Sequence, residues 1–218
     1  MRLFTVSKLH RMVVAAVVML ALSCVGSDRA AGQSATFTGV GGLNPGFIDS
    51  DLLNISADGS VAVGQSFNPD FAREAFQWTS GGGLVGLGFL PGAGGAFNNN
   101  SFAYDASADG GTIVGFSDSA PATSGPAAVI NHAFSYSGGT MNDLGTLPGD
   151  LESKAFGVSD DGSIAVGFSD PTAGTSNDEQ AVMWSGGSIT PLGFLTGGTY
   201  SRAKDISEYI GQELECEI

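Results

Sequence analysis

The chain has 218 residues, 42% of them hydrophobic, and carries a formal charge of −14 at pH 7. That apolar content excludes a wholly disordered protein. Only 8 basic residues stand against 22 acidic ones, which excludes nucleic-acid binding through clustered Lys and Arg.

Residues 1–32 read as a secretory signal. Arg2, Lys8 and Arg11 make a basic stretch, residues 12–22 an unbroken apolar run, and Ala30-Ala31-Gly32 a small-residue cleavage site. The run is shorter than the roughly 20 residues that span a bilayer. Cys24 opens the alternative of a lipid-modified cysteine. Ala21 and Leu22, however, stand where lipoprotein signals carry an aliphatic and then a small residue, so lipid anchoring at Cys24 is not expected. Cleavage after Gly32 leaves 4 basic and 21 acidic residues, a net charge of −17, and Cys216 as the single cysteine. No disulfide framework is then available, so stability must come from burial. No second apolar run follows. The expected product is therefore secreted or periplasmic and not inserted in a membrane. Its scattered acidic residues give a self-repelling surface, with weak calcium binding as an open alternative.

After the signal, residues 37–46 read as a short strand ending at Pro45-Gly46. This segment resembles three later ones: Leu87-Gly88-Phe89-Leu90-Pro91-Gly92, Leu144-Gly145-Thr146-Leu147-Pro148-Gly149 and Leu192-Gly193-Phe194-Leu195-Thr196-Gly197. The chain thus opens on the last strand of a repeating unit. Units then run over about 50–100, 101–152 and 153–200, with a partial fourth at 201–207. Each begins at a serine (Ser50, Ser101, Ser153, Ser201) and reaches an Asp-Gly turn (Asp58-Gly59, Asp109-Gly110, Asp161-Gly162). The turn glycines are 51 and 52 residues apart. Asp-Gly supplies the positive φ of a tight hairpin, and the following Val-Ala-Val-Gly, Ile-Val-Gly and Ile-Ala-Val-Gly runs read as strands. Variable loops follow at 67–73, 118–131 and 170–180. A third strand carries Ala75-Phe76-Gln77-Trp78, Ala133-Phe134-Ser135-Tyr136 or Ala181-Val182-Met183-Trp184, and a glycine turn leads to the fourth.

Short strands, Gly or Pro at the junctions and no 3.6-residue period predict an all-β protein. Four antiparallel strands per repeat of about fifty residues predict a β-propeller-like domain over 33–207. It would have about three and a half blades in an incomplete or open ring, and its open sheet edges invite self-association. Residues 208–218 lose the Asp-Gly hairpin and turn acidic. They read as a tail foreign to the repeat, from a truncated or shifted frame, or else as a degenerate edge strand.

These motifs together resemble the HAF family of bacterial extracellular repeats, named for a His-Ala-Phe triplet that stands here as His132-Ala133-Phe134. The other units depart from it, with Glu74-Ala75-Phe76 and Gln180-Ala181-Val182. The resemblance covers residues 37–207 and implies secretion and a repeat architecture; it implies no particular reaction.

No constellation of side chains points to catalysis, a cofactor or a metal. Asp58, Asp109 and Asp161 sit in loops that turn apolar after one carboxylate, unlike a calcium-binding loop. The same turns depart from the sialidase Asp-box in the place of the glycine and the lack of a following aromatic. Glu74, Glu152 and Glu179 are carboxylates that a glycosidase could use in pairs, but nothing in their spacing singles them out. His132 is the only histidine after the signal, too few for a multi-histidine metal site, and Cys216 has no visible base. The two Asn-x-Ser triplets, at Asn54 and Asn99, carry no weight. Trp78, Tyr136 and Trp184 share one repeat position, where they either pack between units or stack on sugars. The function expected is a non-enzymatic extracellular scaffold or binding module, with a glycan or a cell-surface protein as partner. The alternatives are a carboxylate-based polysaccharide hydrolase and a truncated copy without independent function.

Overall fold

A computed structural model describes residues 39–47, 49–92, 99–119, 130–172 and 178–207. The expected signal at 1–32 and the acidic tail at 208–218 lie outside the described residues. From Val40 onward the described residues belong to one compact unit.

Twelve strands are present among the described residues. They are β1 (Ser50–Ile55), β2 (Val61–Phe67), β3 (Arg73–Thr79), β4 (Gly83–Gly88), β5 (Ser101–Ala106), β6 (Thr112–Asp118), β7 (Asn131–Ser137), β8 (Thr140–Asp143), β9 (Glu152–Val158), β10 (Ile164–Asp170), β11 (Gln180–Ser185) and β12 (Ser188–Gly193). They form three four-stranded antiparallel sheets, each a simple meander in chain order. The all-β class and the fifty-residue unit therefore stand as expected. The first sheet packs against the second and the second against the third. These residues make an open stack in which no ring closes.

The Asp-Gly turns join the first two strands of each sheet for a local reason. Ser56 Oγ donates to Asp58 Oδ1 and accepts from the Val61 amide, while the Ser60 amide donates to the same carboxylate. Ser107 and Asp109 repeat this set, as do Ser159 and Asp161. The turn glycines Gly59, Gly110 and Gly162 have φ of 72°, 69° and 73°, a left-handed conformation that glycine adopts without strain. Neighbouring turns are also joined: the Asp58 amide donates to Ala108 O and the Ala108 amide to Asp160 O.

The serines that open the second, third and partial fourth units fasten each unit to the one before it. Ser101 Oγ accepts from the Ala75 amide and donates to Gly88 O; Ser153 does the same between Ala133 and Gly145, and Ser201 between Ala181 and Gly193. In the first and third sheets a bulge opens the ladder between the third and fourth strands beside this pair, and the incoming hydroxyl satisfies both backbone groups. A second row of serines works in the other direction. Ser66, Ser117 and Ser169 accept from the amides of Leu43, Leu90 and Leu147, each at the close of the preceding unit.

Leu43 and Gly41 make the same contacts to the first sheet that a fourth strand makes to the sheet after it, since Ser50 Oγ also donates to Gly41 O. The segment at 40–47 thus stands where the end of a preceding unit belongs. It does so as a turn carrying one isolated Asn44–Phe47 bridge, in place of the strand expected over 37–46. At the other end, residues 201–207 lie extended along the third sheet without entering a ladder. They are held by Ser201 N–H to Glu179 O, Ala203 N–H to Gly167 O and an Arg202–Glu179 ion pair in which Glu179 is buried.

Two apolar clusters fill the two gaps between sheets. Val61, Val63, Ala75, Leu87 and Leu90 of the first sheet and its following segment meet Ala103, Ala106, Ile113 and Phe134 of the second. Val114 and Ala133 of the second meet Ala155, Val158, Ala165, Val182 and Trp184 of the third. Half-buried Asp105 of β5 joins all three sheets by accepting from Asn54 Nδ2 and the Val158 amide. Partial burial pushes its pKa up despite the bonds from the Val158 and Ala106 amides.

Candidate functional site

The carboxylates that repeat are engaged in the turns. Hydrogen bonding from Ser159, then Ser163, lowers the Asp161 pKa to about 2; Asp58, held chiefly by Ser56, and Asp109, held chiefly by the Gly111 amide, are lowered as well. An unfolded aspartate titrates near 3.9, so the folded state binds this proton more weakly. The resulting stabilisation is full above about pH 4 and is lost as the pH falls toward 2. In Asp161→Asn this part of the pH dependence should flatten, which denaturant midpoints measured between pH 2 and 5 will reveal.

The other acidic candidates are dispersed. Glu74 accepts from Asn68 Nδ2 and the Gly88 amide, Glu152 from Asn131 Nδ2, and Glu179 pairs with Arg202. These three lie in different sheets or connections and are not brought to one site. Among the described residues no group of three His, Cys, Asp or Glu side chains could hold a metal ion. His132 has a partner that the sequence did not disclose: its Nδ1 lies 2.8 Å from Asp143 Oδ2. That hydrogen bond raises the His132 pKa against the effect of burial. Burial opposes ionisation of Asp143, but the His132 bond and the Gly145 amide outweigh it and its pKa is lowered.

The shared aromatic position divides. Trp184 is 4% exposed and belongs to the cluster between the second and third sheets; Tyr136 packs against the first cluster; Trp78 is partly buried and belongs to neither. Packing between units therefore holds for Tyr136 and Trp184. A different aromatic row, not visible in the sequence, runs along β5, β6, β9 and β10. Phe102 stacks on Phe116 at 4.9 Å, and Tyr104, Phe156 and Phe168 continue it. Cations of the following unit already cover its ring faces, with Lys154 Nζ 4.3 Å from Phe116, Lys204 Nζ 3.8 Å from Phe156 and the Arg202 guanidinium 4.9 Å from Phe168. Phe116, Phe156 and Phe168 are thus engaged in cation–π contacts within the stack.

A cleft of about 240 Å³ lies between the second and third sheets. Val114, Val158, Ala165 and Trp184 give it a buried apolar floor. Asp143, Ser163, Ser185 and Gly186-Gly187 form an exposed mouth, and Thr112 and Ser135 supply hydroxyls to the wall. The Trp184 indole N–H has no hydrogen-bond partner. Sequence reading missed this site because it depends on two sheets meeting. The available signal was the unit alignment: Ser135 stands where the first unit has the longer Gln77, and Thr112 where it has Val61. A smaller, more polar pocket is bounded by Asp49, Ser50, Asp51, Gln65, Phe67 and Arg73 at the first sheet.

No family model matches the chain, and no curated protein matches it in sequence.

Proposed function

We infer that this chain is an exported, non-enzymatic repeat scaffold of the HAF-like extracellular kind, which binds a glycan or a cell-surface protein. One observation carries this reading. The polar side chains that recur from unit to unit are engaged in the architecture: the turn Ser-Asp pairs close the hairpin inside each unit, and both rows of serines join neighbouring units. Recognition then falls to what differs between units. The differing parts are the connections after β2, β6 and β10, which leave matched ladder positions (Phe67 opposite Arg73, Asp118 opposite Asn131, Ser169 opposite Gln180), and the cleft beside Trp184. Loops displayed from a rigid repeat array are where binding residues concentrate.

Self-association belongs to the same reading. Leu52 and Ile55 of β1 are 46% and 53% exposed, whereas Ala103 and Ala106 at the matching positions of β5 are covered by the first sheet. The outer face of β1 thus exposes apolar side chains, although Ala62 and Phe76 on the same face of the sheet are buried.

Incubation of the purified protein with arrayed glycans and intact cells tests the reading. Retention of the protein with no release of reducing ends is the expected result. Release of reducing ends that a single Asp or Glu substitution abolishes would establish a hydrolase in its place.

A further inference from the structure

We propose that the cleft between the second and third sheets is a binding site for one small, uncharged polyhydroxylated molecule of the size of a single sugar ring. This rests on the reading of the chain as a binding scaffold and names the ligand class of one site on it.

Size sets the first limit. The cleft has a volume of about 240 Å³. It lies below the ~300–1,000 Å³ of pockets that take drug-sized ligands. One ring with its hydroxyls fits, and an oligosaccharide would enter by a single residue. The chemistry of the walls sets the second. Val114, Val158 and Ala165 with the Trp184 ring form a dry floor that suits the C–H face of a ring. Thr112, Ser135, Ser163 and Ser185 place hydroxyls, each both donor and acceptor, around it.

One further feature singles out hydroxyl groups. Asp143 is held by His132 Nδ1 at 2.8 Å and by the Gly145 amide at 2.7 Å. Each of its oxygens keeps a further lone pair, so it can accept from a hydroxyl while its position is fixed from behind. The same carboxylate at the mouth disfavours an anionic ligand. Gly186-Gly187 adds no side chain to its part of the mouth. The pocket is particular to this junction, since Gln77 and Val61 replace Ser135 and Thr112 in the sheet before it.

The protein contains two tryptophans, so Trp78→Phe leaves Trp184 as the sole indole reporter. Fluorescence of that variant should be titrated with glucose, galactose, mannose, N-acetylglucosamine and myo-inositol, and with glucuronate as the anionic probe. Saturable change at millimolar concentration is expected with at least one neutral probe, with glucuronate at least about tenfold weaker than its neutral counterpart. In the same background Ser135→Gln, which copies the first unit, should abolish the response with an unchanged melting curve. Asp143→Asn should bring glucuronate and glucose closer in affinity, and this readout stands should Ser135→Gln fail to fold. Absence of saturation with all five neutral probes up to 100 mM would overturn the proposal, as would a response unaltered in a folded Ser135→Gln or undiminished discrimination in Asp143→Asn. Retention on arrayed glycans that survives such a failure would leave the scaffold reading standing and place recognition elsewhere, on the loops.

Discussion

Gly115→Ala is expected to destabilise the protein by about 3 kcal/mol, at the upper end of what overpacking costs. The reason lies in the backbone opposite. A Cβ at Gly115 would stand closer than 3.0 Å to the Phe102 carbonyl oxygen, and the Phe134 ring lies at 3.0 Å on another side. β5 bulges toward β6 at this point, where its register shifts between Ala103 and Asp105. Neither neighbour yields cheaply, since one is main chain and the other is a fully buried ring. For a domain of this size the loss corresponds to a melting shift of roughly 6–12 °C. Gly81→Ala is the matched control: nothing lies within 4 Å of its Cβ and its φ is not positive. It should change stability by less than about 0.5 kcal/mol. Equal melting temperatures for the two variants would refute the close approach. Gly64 and Gly167 face the Asp51 and Lys154 carbonyls in the same way, so the effect should recur in each sheet.

Trp184→Ala is the second large effect, about 3–5 kcal/mol. Trp184 packs among Val114, Ala155, Val158 and Val182, and its N–H has no partner to lose, so the cost is one of packing alone. Because the ring also borders the cleft, part of the space it vacates adjoins solvent and need not persist as a closed cavity. The value should therefore sit toward the lower end of that range. Trp78→Ala, at the same repeat position but outside both clusters, should cost clearly less. Chemical denaturation of the two variants compares them directly, and a wild-type midpoint for Trp184→Ala would show that the residue carries no core packing.

The contrast between these residues also marks what the sequence made legible. Asp58-Gly59, Asp109-Gly110 and Asp161-Gly162 were readable as hairpins because each turn is closed by residues within five positions of one another. The strands that follow were readable for the same local reason. Gly64, Gly115 and Gly167 were visible as a repeated letter, but their necessity comes from a carbonyl on another strand. Ser101, Ser153 and Ser201 were visible as strand starts. Their bridging of the preceding unit spans 20 or 26 residues to the amide and 8 or 13 to the carbonyl, and it needs the sheets to be in place. The cleft was least legible, since it arises from what Ser135 leaves unfilled between two sheets. His132 was taken as solitary because Asp143, eleven positions on, becomes its neighbour only through the β7–β8 turn.

The serine fastenings have a kinetic consequence. Each joins a unit to the one beside it in sequence, and the strand pairing inside a unit is a meander of neighbours. Closing such short loops costs little chain entropy compared with pairing distant ends. The stack can therefore assemble like a zipper from any unit and lengthen by one sheet at a time, in the manner of linear repeat proteins. The middle sheet, fastened on both faces, is then the last to open. Amide hydrogen exchange should rank β6 and β7 as the slowest strands and β1 and β12 as the fastest.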